Sequence, residues 1–235
     1  MEGGSESIGE RVAVVLDRIR RAALRAGRAA DTIRLVAATK TVPVERIREA
    51  WLAGVRHCGE NRLQEALPKI EAFGPAEMAW HFIGTLQRRK VKSVVGRFQM
   101  IHSVDGLALA EEIDRRAAEA NLRQPVLLEV NLGGEVSKGG FAPDELAVLL
   151  PELDGLSHIE VRGLMAIPPP TATSEEARPF FRRLRELSRT LTALGSRNIN
   201  MTELSMGMSQ DYEVAIEEGA TYVRIGTAIF GARHV

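Results

Sequence analysis

Lys40 ends the run Ile33-Arg34-Leu35-Val36-Ala37-Ala38-Thr39-Lys40, three residues ahead of Pro43. A short run of β-branched and small apolar residues stopped by proline reads as a strand, which puts the lysine at its carboxyl end. Side chains alternate along a strand, so Val36, Ala38 and Lys40 share one face. If that face is interior, the small Ala38 leaves room beneath an amine that is costly to bury charged. A desolvated lysine is the usual nucleophile toward carbonyl carbon. The alternative is a strand-end lysine whose ammonium stays in water, as most do.

A second constellation is Ser205-Met206-Gly207-Met208-Ser209, which closes one apolar run and opens a helical one. Phosphate is held by inward N–H groups, a residue free to take positive φ, and hydroxyls beside a helix N-terminus. Gly207, Ser205 and Ser209 supply those parts, although Ser209 also suits an ordinary helix N-cap. The run Val223-Arg224-Ile225-Gly226-Thr227 offers a second glycine-plus-hydroxyl loop. Arg224 shares a face with Tyr222, where a guanidinium could donate to a pyridine nitrogen or pair with a carboxylate such as Glu129. A small aldehyde with a phosphate tail would span from Lys40 to these loops if the last strand lies beside the first.

The elements that must bring these residues together are legible as alternation. After an amphipathic helix from Arg11 to about Ala26, the strands read Ile33–Thr39, Val55–Cys58, Ala79–Gly84, Met100–Val104, Pro125–Asn131, Ile159–Ile167, Asn200–Ser205 and Thr221–Ile225. Helices read Val44–Ala53, Asn61–Phe73, Leu86–Val95, Gly106–Ala120, Pro143–Leu150, Ser174–Leu194 and Gln210–Glu218, with Phe180, Leu184 and Leu187 as the core stripe of the sixth. Eight strands alternating with helices in 235 residues predict an α/β fold, a single (β/α)8 TIM barrel with an extra N-terminal helix. An open doubly wound sheet would leave two exposed edges. The barrel domain is expected over 10–235, after a flexible Gly/Ser/Glu-rich tail over 1–9.

Composition narrows the partners. Lys+Arg and Asp+Glu both number 31, so no basic excess draws nucleic acid or anionic lipid. One cysteine, Cys58, excludes an internal disulfide and fits a reducing cytoplasm, and no apolar run reaches the length of a membrane span. His57, His81, His102, His158 and His234 are scattered without the close pairing of metal ligands, so no metal is expected. His81 reads as a satisfied core histidine, and the charge run Arg88, Arg89, Lys90, Lys92 as a solvated helix face. The loop Gly133–Gly140, with Lys138, reads as a flexible segment.

Taken in order, these segments resemble the pyridoxal phosphate homeostasis protein family, which is related to the N-terminal barrel of bacterial alanine racemase. The likeness covers about Ile8 to Gly231. It rests on Ala38-Thr39-Lys40-Thr41, Gly59-Glu60-Asn61-Arg62-Leu63-Gln64-Glu65, Trp80-His81-Phe82-Ile83-Gly84, Val130-Asn131, Gly163-Leu164-Met165-Ala166, Leu204-Ser205-Met206-Gly207-Met208-Ser209-Gln210-Asp211 and Val223-Arg224-Ile225-Gly226-Thr227. Thr85, Arg89 and Glu129 depart from the family's pattern.

The resemblance implies pyridoxal 5′-phosphate as cofactor, an imine on Lys40, phosphate held by Ser205, Gly207, Gly226 and Thr227, and Asn61 and Arg224 near the ring. Asn61, with Gln64 three residues on, also fits a helix N-cap pattern. The implied function is carrying or buffering the cofactor in vitamin B6 homeostasis, with no catalytic residue set, serving B6 vitamers and apo forms of cofactor-dependent enzymes. A monomer is expected because no apolar helical stripe is left over. An amino-acid racemase is the alternative from another class. It needs a second acid or base opposite the lysine, for which only Tyr212 and Tyr222 are present before the chain stops at Val235. A cofactor-free Schiff-base aldolase is a third.

Overall fold

A computed structural model of the chain describes residues 6–74, 77–135 and 139–232. Eight strands form one closed parallel barrel in sequence order: β1 (Arg34–Ala38), β2 (His57–Glu60), β3 (Ala79–Phe82), β4 (Met100–Val104), β5 (Gln124–Glu129), β6 (Ile159–Met165), β7 (Ile199–Ser205) and β8 (Tyr222–Ile225). Closure is direct, with Arg34 of β1 opposite Tyr222 of β8 and Ala37 opposite Ile225. The TIM barrel expected from alternation is therefore the fold.

Why the strands read as continuous apolar runs follows from burial on both faces. Leu35, Ala37 and Cys58 point outward into the large core beneath the helices, whereas Val36, Met100, Leu127, Met165 and Tyr222 form a separate cluster inside the barrel. Each large side chain so buried contributes roughly 1.5–3 kcal/mol. Strand alternation thus carries Val36 inward, and with it the face that leads to Ala38 and Lys40.

The helices α1 (Ile8–Arg25), α2 (Val44–Leu52), α3 (Leu63–Phe73), α4 (Leu107–Glu119), α5 (Pro143–Asp154), α6 (Ser174–Ala193), α7 (Tyr212–Glu217) and α8 (Thr227–Phe230) surround the sheet. The extra helix α1 starts at Ile8, ahead of the expected Arg11, because Ser7 accepts from the Glu10 N–H while the Glu10 carboxylate takes the Ser7 N–H. It buries Val12, Val15 and Ile19 and packs on α2, α7 and α8, the part of the wall where the last helices are shortest. Residues 1–5 of the expected tail lie outside the described residues.

Two expectations shift. The helix read over Leu86–Val95 is a 3-10 helix, Arg88–Ser93; like charges at Arg88 and Lys92 and β-branched residues at 91, 94 and 95 all disfavour an α-turn there. In α6 it is Phe181, not Phe180, that is fully buried, and Arg178, Arg182 and Arg185 converge on Glu218 at 3.2, 3.1 and 2.9 Å, tying α6 to the end of α7. Among the described residues, no helix is long and apolar enough to cross a membrane.

Candidate functional site

Lys40 lies two residues past the end of β1, inside a β-turn closed by the Val42 N–H donating to the Thr39 carbonyl at 3.0 Å. The next residue, Thr41, has φ of 63°. A non-glycine residue there costs on the order of 1–3 kcal/mol and persists only where its surroundings impose it. The turn presents half-buried Lys40 to a cleft that it lines together with Ala38, Thr41, Arg46, Gly226 and Thr227. The lysine and the β8 loop therefore face one space at the carboxyl rim of the barrel.

The β7 loop is joined to the β8 loop by main-chain and hydroxyl contacts. Gly207 has φ of 90°, and a Cβ on it would lie 2.5 Å from the Ala215 Cβ and 2.9 Å from the Tyr212 Cα, so only glycine lets the loop pack on α7. Its carbonyl accepts from the Arg224 N–H at 2.9 Å. Ser209 Oγ accepts from the N–H groups of Gly226 and Ala228, both at 3.3 Å. Asp211 Oδ1 accepts from the Met208 N–H at 2.6 Å. Ser209 thus adds its hydroxyl at the mouth of the β8 loop, where Thr227 also lines the cleft.

Ser205 is placed differently. Fully buried, its Oγ accepts from Arg224 Nη1 at 2.6 Å and lies 2.9 Å from His102 Nδ1. Arg224, 5% exposed, also donates Nη2 to the Ala166 carbonyl at 3.0 Å. Burial lowers its pKa to about 10, against the pull of Glu129 and Asp211, so it stays charged at neutral pH. Ser205 and the Ala166 carbonyl hold the guanidinium, and Glu129 acts on it only through its field.

Behind Ser205 runs a chain of imidazoles. His102 Nε2 is 2.9 Å from His81 Nδ1, and His81 Nε2 is 3.0 Å from His57 Nδ1. Burial pushes the His81 pKa down to about 3, that of His102 well below its usual value, and that of half-buried His57 down as well. His81 is accordingly a core histidine with both ring nitrogens engaged. Three of the five histidines judged scattered along the chain, His57, His81 and His102, are gathered here, because β2, β3 and β4 are adjacent staves whose βα spacing hides the proximity. No group of three or more His, Cys, Asp or Glu among the described residues is arranged to hold a metal ion.

Asn61 is half-buried just past β2. The N-cap of α3 is Arg62, without a side-chain capping bond, so the capping role considered for Asn61 is not used. Its backbone abuts Gly84, where a Cβ would fall 2.5 Å from the Asn61 carbonyl oxygen. Lys138 lies outside the described residues. A separate cleft of about 660 Å³ is lined by Leu67, Ile70, Met78, Trp80 and Phe98 near the amino-terminal ends of β3 and β4, away from the rim that carries Lys40.

Sequence reasoning missed Arg46, which lines the Lys40 cleft and donates to the Phe230 carbonyl at 2.7 Å. It also missed a buried pair, Lys69 Nζ to Glu60 Oε1 at 2.7 Å. The spacing gave no signal for it: Glu60 and Lys69 stand nine apart, one ending a strand and the other within the following helix.

A closed barrel with an amine just past the first strand facing the glycine loop after the last defines the class of the alanine racemase N-terminal domain, whose family model matches residues 14–234. The chain belongs to that family, and its close relatives place it more narrowly. It is 50% identical over 224 residues to a pyridoxal phosphate homeostasis protein of Aquifex aeolicus, covering 95% of this chain and 97% of the relative. A protein of the same name from Escherichia coli K12 is 42% identical, with 96% and 97% covered. The structure of PipY from Synechococcus elongatus with PLP bound superposes with a TM-score of 0.83 at 39% identity, covering 96% of this chain and all of that one. Alanine racemase of Clostridium difficile shares the fold at a TM-score of 0.73 and 15% identity, with 96% of this chain and 57% of that one covered.

Proposed function

We propose that the chain binds pyridoxal 5′-phosphate through a Schiff base on Lys40 and carries or buffers it in vitamin B6 homeostasis. The observation that carries this reading is the shared cleft: Lys40 on one side, Gly226 and Thr227 on the other. When bound, the cofactor supplies an aldehyde to be captured and a ring able to take up electrons. Gly207, Gly226 and Thr227 would hold the phosphate with Ser209, and Arg46 would add positive charge from the side. Asn61 would lie at the ring edge.

Arg224 would face the ring nitrogen, two of its five N–H donors already spent on Ser205 and Ala166. A permanent donor there keeps that nitrogen unprotonated and weakens the ring as an electron sink. Ser205 then acts through Arg224 rather than on the phosphate.

The position of both tyrosines speaks against a two-base racemase. Tyr212 is 1% exposed, under the Arg18 guanidinium. Tyr222 lies inside the barrel, its hydroxyl 3.4 Å from Glu203 Oε1 and its ring under Arg34, which opens β1 at the opposite mouth. Neither stands across the cleft from Lys40 as a second acid or base. Work as a monomer in the cytoplasm, acceptance of other vitamers and exchange with apo enzymes belong to the same proposal.

The test is a visible spectrum of the protein after incubation with the cofactor, before and after borohydride, with mass analysis of the peptide carrying Lys40. The imine band should be present, be trapped on Lys40 and vanish in Lys40→Ala. A Lys40→Ala protein that keeps the band refutes the assignment, and turnover of alanine enantiomers at ordinary enzyme rates refutes the carrier role.

A further inference from the structure

Both peptide groups flanking Lys40 are gripped by side chains from α3. On the amino side, Lys69 Nζ donates to the Thr39 carbonyl at 2.8 Å. On the carboxyl side, Glu65 Oε2 accepts from the Thr41 N–H at 2.7 Å. The two residues are one helical turn apart, so they act as two prongs of one rigid element. The inner prong is braced: Glu60 Oε1, fully buried, takes Lys69 at 2.7 Å and the Thr39 hydroxyl at 2.6 Å. Between the prongs sits Lys40, and Thr41, held by the outer prong, has a φ of 63°, a conformation that needs external support.

Stability alone gives a poor account of this arrangement. A buried ion pair loses most of its attraction to desolvation and is often matched by well-packed apolar residues. What the pair does determine is where the Thr39 carbonyl lies, and hence where the residue after it starts.

We propose that Lys69 and Glu65 are positioning residues for the amine of Lys40, holding its turn so that Nζ is presented to the cofactor aldehyde. The proposal rests on the reading of Lys40 as the acceptor amine and adds how that amine is aimed. In the step concerned, Nζ bonds to the aldehyde carbon and the carbonyl oxygen leaves as water with two protons taken from the ammonium-free amine. No other reactant is needed. Holding an amine at the point of attack raises its effective concentration, so loosening the turn weakens covalent capture and leaves phosphate and ring contacts intact.

The experiment compares two probes on the full chain: pyridoxal 5′-phosphate, and pyridoxine 5′-phosphate, which carries a hydroxymethyl group in place of the aldehyde. Glu65→Ala should lower the imine-forming equilibrium about tenfold, the loss of one charge-assisted hydrogen bond, while the dissociation constant for pyridoxine 5′-phosphate stays the same. Glu65→Gln should restore capture, because an amide oxygen also accepts from the Thr41 N–H. The double variant Glu60→Gln/Lys69→Met, which removes the inner prong without stranding a charge, should show the same split between probes. Equal imine formation in Glu65→Ala and the parent protein, or equal losses for both probes, overturns the proposal. Lys40→Ala serves as the control: an imine band that persists in it overturns the underlying assignment, whereas its loss there with no effect in Glu65→Ala overturns the positioning role alone.

Discussion

Replacing Lys69 by methionine removes the only cation that contacts the Glu60 carboxylate among the described residues. That carboxylate is 0% exposed, and its Oε2 already has no hydrogen-bond partner. Breaking a buried pair from one side costs roughly 3–5 kcal/mol, and in a chain of this size each kcal/mol lowers Tm by about 2–4 °C. A fall of about 6–20 °C at pH 7 is therefore expected. The sign of its pH dependence follows from burial, which already holds the Glu60 pKa above its ordinary value; losing the cation raises it further. A folded pKa above the unfolded one means that the folded state binds more protons. The stabilising protonation is then fully present below the unfolded pKa and lost as pH rises through the folded one.

The Lys69→Met deficit should accordingly shrink at pH 5 and widen at pH 8, read by thermal and urea unfolding. Glu60→Gln/Lys69→Met removes the charge altogether and should recover most of the loss at pH 8. If the double variant is as unstable as the single one, or if the deficit is the same at both pH values, lost packing rather than a stranded charge is the cause.

Gly207→Ala should destabilise the fold by at least about 1–3 kcal/mol, because a Cβ at φ of 90° meets Ala215 at 2.5 Å, and it should abolish pyridoxine 5′-phosphate binding in a calorimetric titration; retained affinity would refute the placement of phosphate at this loop. One proton order is expected along the histidine chain: guanidinium only donates, so Ser205 accepts from Arg224 and its own O–H is left to donate to His102 Nδ1, which would make His102, His81 and His57 neutral Nε2–H tautomers. Nitrogen NMR at pH 7 should show this, and a protonated Nδ1 on His102 would contradict it.

The barrel was legible because its signal is local and repeated. Strands buried on both faces read as short apolar runs, helices as amphipathic stripes, and the count and order of the two leave few topologies. The lysine at the first strand's end, and the glycine and hydroxyl residues ending the last two, stood out for the same reason, since strand ends mark one rim. Closure then brings β8 beside β1 whatever the helices between them contain.

Side-chain partners across staves were not legible in that way. Ser205 and Ser209 are equivalent in the sequence, four residues apart in one motif, yet the pleat turns the first inward to Arg224 and His102 and leaves the second at the Gly226 amide. His57, His81 and His102 sit 24 and 21 residues apart, a separation with no meaning until parallel staves place them side by side. Lys69 reads as a surface lysine of an amphipathic helix, and only the seating of α3 on β2 makes it the buried partner of Glu60 and Thr39. Chain order and periodicity by themselves determined the barrel and which residues reach its rim. Which polar atoms meet was decided by register, tilt and helix seating, because hydrogen bonds depend on distances of tenths of an ångström that no spacing along the chain encodes.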